Sequence, residues 1–332
     1  MAKLTRRDFI KAAAASAGAL TLGTLLDACA KALPSTLPAS APSEAAPQAS
    51  MPAEGPTATT GPLPDLVVAQ GGEPEDLVRR ALAGLGGMGR FVPPGANVIV
   101  KPNICVAYHT YEYAATTNPW VVGALVKMAF EAGAGSVRVM DFPFGGTGRA
   151  AYQISGIQEQ VEAAGGEMVD MVSFKFIPTE NPQAEVLKNP AVYEDILSAD
   201  VLINVPIAKQ HGSSRLTLGM KNLMGVVQNR GAMHVSLGQC IADLNALVRP
   251  QLTVIDAVRI LTANGPTGGN LADVQKLDTV IASPDVVAAD SYAASLFGMK
   301  PEDLAYIVHG TRMGLGRSDL QNLNIQVLPA GT

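Results

Sequence analysis

Ala199-Asp200-Val201-Leu202-Ile203-Asn204-Val205-Pro206-Ile207-Ala208-Lys209-Gln210-His211 decides how this chain is read, together with Gly219-Met220-Lys221-Asn222-Leu223-Met224-Gly225 just after it. Val201 to Val205 is mostly apolar and β-branched and is bounded by Asp200 and Pro206, the pattern of a short buried strand. The segment behind it, expected as a loop too polar for a core, carries Lys209, His211, Ser213, Ser214 and Arg215. Gly219 and Gly225 then bracket Lys221 and Asn222. Ionisable groups delivered just past the carboxyl end of a buried strand mark a candidate site. An ordinary solvated loop has the same composition, since Lys and Arg are surface residues by default.

Working outward, the pattern repeats. Leu66–Ala69, Asn97–Val100, Ser136–Met140, Glu167–Asp170, Leu252–Ile255, Thr279–Ala282 and Asn324–Val327 read as further strands. Between them, helices are expected from Glu73 to Leu85, from Asn118-Pro119 to Ala132, and from Ala150 to Ala164. Later ones are expected over Cys240–Val248, Pro284–Leu296 and Pro301–Gly310. Asn118 suits an N-cap, and Gly133 suits a helix end. Strands alternating with helices predict an α/β fold: a mainly parallel sheet with helices on both faces. Ligands of such sheets bind outside the carboxyl ends of the strands. Lys101 and Asn103, Asp141, Lys209 and His211, and Asp256 each follow a different strand, so all would converge if those strands are neighbours.

The N-terminal part is of another kind. Thr5-Arg6-Arg7-Asp8-Phe9-Ile10-Lys11 precedes an apolar run from Ala12 to Leu26 and resembles a twin-arginine export signal. Leu26-Asp27-Ala28-Cys29 resembles a lipobox, with Cys29 as the lipidated residue and Asp27 an unusual occupant; simple cleavage and an uncleaved anchor remain the alternatives. Residues 30–64 are Ala-, Pro- and Ser-rich, a composition expected to form a disordered tether. The α/β domain is assigned to residues 65–332. An extracytoplasmic, membrane-tethered protein is expected.

Composition excludes some functions. The net charge is −5, and residues 1–29 alone contribute +2, so the remainder stands at −7 with no basic block. Nucleic acid is therefore not the expected partner. The three cysteines, Cys29, Cys105 and Cys240, have no iron–sulfur or zinc spacing. A cofactor stays unassigned: His211 and His234 with Asp256 or Asp290 could form a mixed nitrogen–oxygen metal site.

The folded region also resembles the family catalogued as domain of unknown function 362. The resemblance rests on Val98-Ile99-Val100-Lys101-Pro102-Asn103, Asn118-Pro119, Asp200–Pro206, Lys209-Gln210-His211 and Gly219–Gly225. Val254-Ile255-Asp256, Asn264-Gly265-Pro266-Thr267-Gly268-Gly269, Ser283–Asp290 and Gly314-Leu315-Gly316 continue it. It spans about Asp65 to Val327 and implies a fold and a site location, with no reaction. Some relatives carry a ferredoxin-like cluster segment, for which this chain lacks the cysteines. Gln210 and Ala257 depart from the family pattern, which has Thr and often Gly there.

These readings lead to an enzyme acting on a small anionic molecule. Lys209 and His211, two residues apart in an extended segment, would face one ligand as acid and base, with Lys221 beside them. Lys101, Asn103, Asn222 and Asn264 would bind the substrate. Gly145-Gly146-Thr147-Gly148 is read either as an anion-holding nest or as a flexible turn. A fold-level resemblance to the lactate racemase family, which also uses Lys and His in an α/β cleft, places proton abstraction among the chemistries considered. A tethered anion- or partner-binding protein without catalysis, and a metal or redox carrier, are the alternatives.

Overall fold

The computed structural model describes residues 61–331. The export signal, the Cys29 motif and all of the tether before Gly61 lie outside the described residues. Strands β1 (Leu66–Gln70), β2 (Asn97–Pro102), β3 (Ser136–Val139) and β4 (Glu167–Met168) come first in the chain, followed by the short β5 (Phe176–Pro178) and β6 (Ala191–Tyr193). Then come β7 (Val201–Val205), β8 (Ile207–His211), β9 (Arg215–Thr217), β10 (Leu252–Leu261), β11 (Val274–Ser283) and β12 (Ile325–Leu328). The main sheet runs β12-β1-β11-β10-β7-β2-β3-β4, with β8 joined to β10 and β9 to β8; β5 and β6 pair separately. Neighbours along the path are parallel except where β11 inserts antiparallel between β1 and β10. The expected mainly parallel α/β sheet is what forms.

Side-chain alternation distributes each strand's residues between two cores. Val67, Val98, Val100, Val201 and Ile203 face one layer, built with helices α1 (Pro74–Gly84), α2 (Pro119–Glu131), α3 (Gly148–Ile154) and α4 (Ile157–Ala163). Leu66, Val68, Ile99, Leu202 and Ile281 face the other. That layer includes α5 (Glu194–Ser198), α6 (Gly219–Asn222), α7 (Leu237–Leu247), α8 (Val286–Ser295) and α9 (Ala305–Arg312). Helices therefore cover both faces. Among the described residues no helix is long and apolar enough to cross a membrane.

Three local expectations are corrected and one element is added. The single helix over 150–164 is two, because Gly156 takes φ +76° and breaks the ladder between α3 and α4. The polar loop after Pro206 is instead β8, turning back through β9, and residues 207–209 are buried. The strand expected to stop at Ile255 continues through Asp256 to Leu261, with a register shift between Ala257 and Arg259. Asp256 is thus inside a strand, not at its end. Lastly, the β5–β6 pair adds a ribbon that the sequence pattern does not announce, its strands being three residues each.

Candidate active site

Three neighbouring parallel strands, β3, β2 and β7, end beside one another, with β8 next in the chain. Their C-terminal residues build a cleft of about 310 Å³ lined by Asn103, Cys105, Asp141, Lys209, His211, Lys221, Asn222, Arg230 and His234, among others. This is the crevice position typical of doubly wound sheets.

The floor is a closed polar network. Lys101, at 0% exposure, donates to Asp141 Oδ1 (2.8 Å), the Pro102 carbonyl (3.0 Å) and Asn222 Oδ1 (3.3 Å). Asp141 also accepts from the Ile104 and Phe142 amides at 2.6 and 2.9 Å. Asn222 Oδ1 takes a second bond from Asn103 Nδ2 (2.9 Å), while Asn222 Nδ2 donates to Asn204 Oδ1 (2.9 Å). Asn103 Oδ1 accepts from Lys209 Nζ at 2.9 Å, and Lys209 reaches the carbonyls of Ala115 (2.6 Å) and Pro266 (3.0 Å) as well. An ammonium has three protons to donate. Lys101 has three protein oxygens for its protons, and Lys209 has three oxygens and the Cys105 sulfur (3.1 Å). Burial pulls Lys101 down, and the Asp141 carboxylate beside it works against that pull.

The wall is different. Lys221 lies within the single turn of α6, which Asp290 pins by accepting from the Gly219 and Met220 amides at 2.6 and 2.8 Å. The Lys221 ammonium has no hydrogen-bond or ion-pair partner among the described residues. Burial first, then the Lys209 charge, pulls it down to about 8. His211 is drawn down to about 3, chiefly by burial and then by Lys221 and Lys209, so its imidazole is neutral at pH 7. His211 Nδ1 accepts from the Ser213 amide at 3.1 Å. In the neutral ring that assigns the hydrogen to Nε2 and makes it the donor. Arg230 stacks on Phe142 at 5.2 Å and spends Nη1 on the Phe142 carbonyl (2.6 Å).

The expected site residues divide accordingly. Lys209, His211, Lys221, Asn103 and Asn222 line the cleft, and Lys101 lies directly beneath them. Asn264 does not join them: its Nδ2 donates to Asp273 (2.8 Å) in an outer loop. The grouping of His211, His234 and Asp256 as metal ligands is also corrected. The two histidines line the cleft, but Asp256 is fully buried, accepting from the amides of Asn118 (2.7 Å) and Val258 (3.0 Å). There it ties the start of α2 to β10, and no cluster of three His, Cys, Asp or Glu suited to a metal occurs among the described residues. Arg230 escapes a reading of the sequence because nothing near it in the chain distinguishes it from a surface arginine. The turn at Gly145–Gly148 has the Asp170 carboxylate against Gly148, which disfavours an anion there.

Comparison with known proteins places the chain more widely. A cyanobacterial protein, the thylakoid-associated protein sll1697 of Synechocystis, is 28% identical over 247 residues, covering 72% of this chain and 74% of its own. Among solved structures, the lactate racemase apoprotein of Thermoanaerobacterium thermosaccharolyticum aligns with TM-score 0.43 and 12% identity, over 69% of this chain and 56% of that one. A structural-genomics protein from Thermotoga maritima aligns with TM-score 0.41 and 12% identity, over 68% and 60%. A twin-arginine translocation signal matches residues 3–23, which supports export by that route. The model of the family described as domain of unknown function (DUF362) matches residues 98–295, every strand of the cleft included, and the chain belongs to that family.

Proposed function

We propose that this exported protein is an enzyme that holds a small organic anion in the cleft and moves a proton on it, with Lys221 and His211 as the working pair. The observation that carries the reading is the contrast in partners: Lys101 and Lys209 are saturated, whereas Lys221 faces the cleft with its protons unspent. Arg230 and the fixed charge of Lys209 attract the anion. A neutral Lys221 amine accepts a proton from an acidic carbon or hydroxyl, and His211 Nε2–H donates to the oxygen on which charge develops. A Lys pulled to about 8 keeps a usable neutral fraction near physiological pH. The proton-transfer role thus moves from the pair Lys209 and His211 to the pair Lys221 and His211, and Lys209 becomes a positioning charge.

The test is a panel of 2-hydroxy and 2-keto carboxylates, with inorganic phosphate, incubated with the protein in D2O. Deuterium entering C2 of a hydroxy acid or C3 of a keto acid, followed by NMR and lost in Lys221→Met, is the expected result. A thermal shift by the same anions without exchange would instead establish a binding protein. Neither shift nor exchange with any of them would sink the anion-site reading. Lipid attachment at Cys29 completes the proposal, supported by the position of Leu26–Cys29 just behind the matched signal. The mass of the mature N-terminus would show it.

A further inference from the structure

Cys105 follows β2 by three residues and lines the cleft at 8% exposure, with its Sγ 3.1 Å from Lys209 Nζ. No other contact of this kind exists among the described residues: Cys240 is buried and has no lysine bonded to it. The proton-transfer scheme has no use for the thiol. Lys209 is held in place by its three oxygen partners, and Cys105 Sγ also contacts the Ala115 and Pro266 carbonyls, at 3.4 and 3.7 Å. The two reactive atoms therefore share two carbonyl partners and cannot drift apart. Small polar reagents reach them through the cleft.

We propose that Cys105 and Lys209 form an oxidative cross-link, a single oxygen bridging Sγ and Nζ, when the exported protein meets hydrogen peroxide. The first equivalent of peroxide oxidises the thiol to a sulfenic acid and leaves as water. The second oxidises the sulfenic oxygen and the amine together, forming the O–N bond. It releases two waters and the proton that the ammonium gives up. The two equivalents accept four electrons in all. A bridging oxygen suits the observed separation, while a direct S–N bond would draw Lys209 off its oxygen partners. The product removes one cation from the cleft, so anion binding is lost until a thiol reductant reopens the bridge. This inference is independent of whether the cleft catalyses or only binds.

Peptide mapping by mass spectrometry of the full chain after peroxide treatment tests it. The expected species joins the Cys105 and Lys209 peptides, heavier by one oxygen and lighter by two hydrogens than the pair. It reverts with dithiothreitol and is accompanied by loss of the thermal shift caused by anions. Cys240 stays reduced as an internal control. Lys209→Arg keeps the charge and gives no link, so Cys105 goes on to sulfinic acid. The native chain is decisive even if that variant fails to fold. In it, Cys105 remaining reduced, oxidising only to sulfinic or sulfonic acid, or joining a different amine would overturn the proposal. A cross-link in a chain that no anion shifts even before peroxide treatment would leave the link standing and count against the anion site proposed above. A cross-linked chain that keeps its anion shift would overturn the loss of binding.

Discussion

The floor and the wall of the cleft carry the same residue types for opposite purposes. On the floor, Lys101, Asp141, Asn103, Asn222 and Lys209 satisfy one another and nearby carbonyls, with none more than 7% exposed. On the wall, Lys221, His211 and Arg230 keep protons or lone pairs to spare. Burying an ion is costly unless it is paired and hydrogen-bonded, so a saturated buried charge is part of the fold. A part-buried charge without a partner costs stability and is retained where a ligand completes it. Partner count separates scaffold from chemistry where residue type cannot.

The largest effect is expected on the floor. Lys101→Met leaves the Asp141 carboxylate buried without its ion pair, a loss of about 3–5 kcal/mol in unfolding free energy by denaturant titration. If the variant is as stable as the native chain, the floor is not a structural unit and the comparison fails. Lys221→Met is the reverse case. Its fold should be unharmed, because a desolvated cation is removed, while turnover falls by about 10²–10⁴-fold, the range of general acid–base catalysis.

The pH dependence sharpens the same contrast. Lys221 is depressed from 10.5 to about 8, so between those values the unfolded chain binds the proton that the folded chain has released. Stability should rise with pH through that window and lose this component in Lys221→Met. As a base, Lys221 makes activity rise through about pH 8; as a mere anion clamp, it makes affinity fall there. Rate and binding measured on one sample, from well below that pH to well above it, separate the two roles.

Gly225→Ala comes next. Its methyl group would overlap Asp141 Oδ1 and press on Lys101 Nζ, a cost of about 1–3 kcal/mol from overpacking, read as a lower melting temperature. The smallest effect is expected at Asn264, whose backbone already has φ +54°. Asn264→Gly should alter stability by no more than about 0.5 kcal/mol and leave the thermal shift by anions intact. A lost ligand response would return this loop to the site.

Much of the fold is legible because strands and their ends are written locally. Val98–Val100 and Val201–Val205 announce themselves by mostly apolar β-branched runs, Val137 and Val139 by their alternation around Arg138, and Asn118 caps α2 through the Trp120 amide as its position suggests. Ile207–His211 is not legible as a strand. Its Lys, Gln and His look like a solvated loop, and Lys209 becomes buried only because Asn103, Ala115 and Pro266 supply its acceptors from 57 to 106 residues away. Asp256 misleads for the same reason. An aspartate after an apolar run reads as a strand end, but amides of Asn118 and Val258 make its burial inside β10 tolerable, even though burial raises it to about 7.

The amino-acid order by itself determined the α/β class, the export signal and the family, because periodicity and short motifs are properties of neighbouring residues. It also determined that lysines, asparagines and histidines cluster after β2, β7 and β8. Which of those lysines is scaffold and which is free was decided only by the tertiary structure. A lysine's role depends on how many oxygens surround its ammonium, and here those oxygens come from strands and loops that meet only when the sheet has formed.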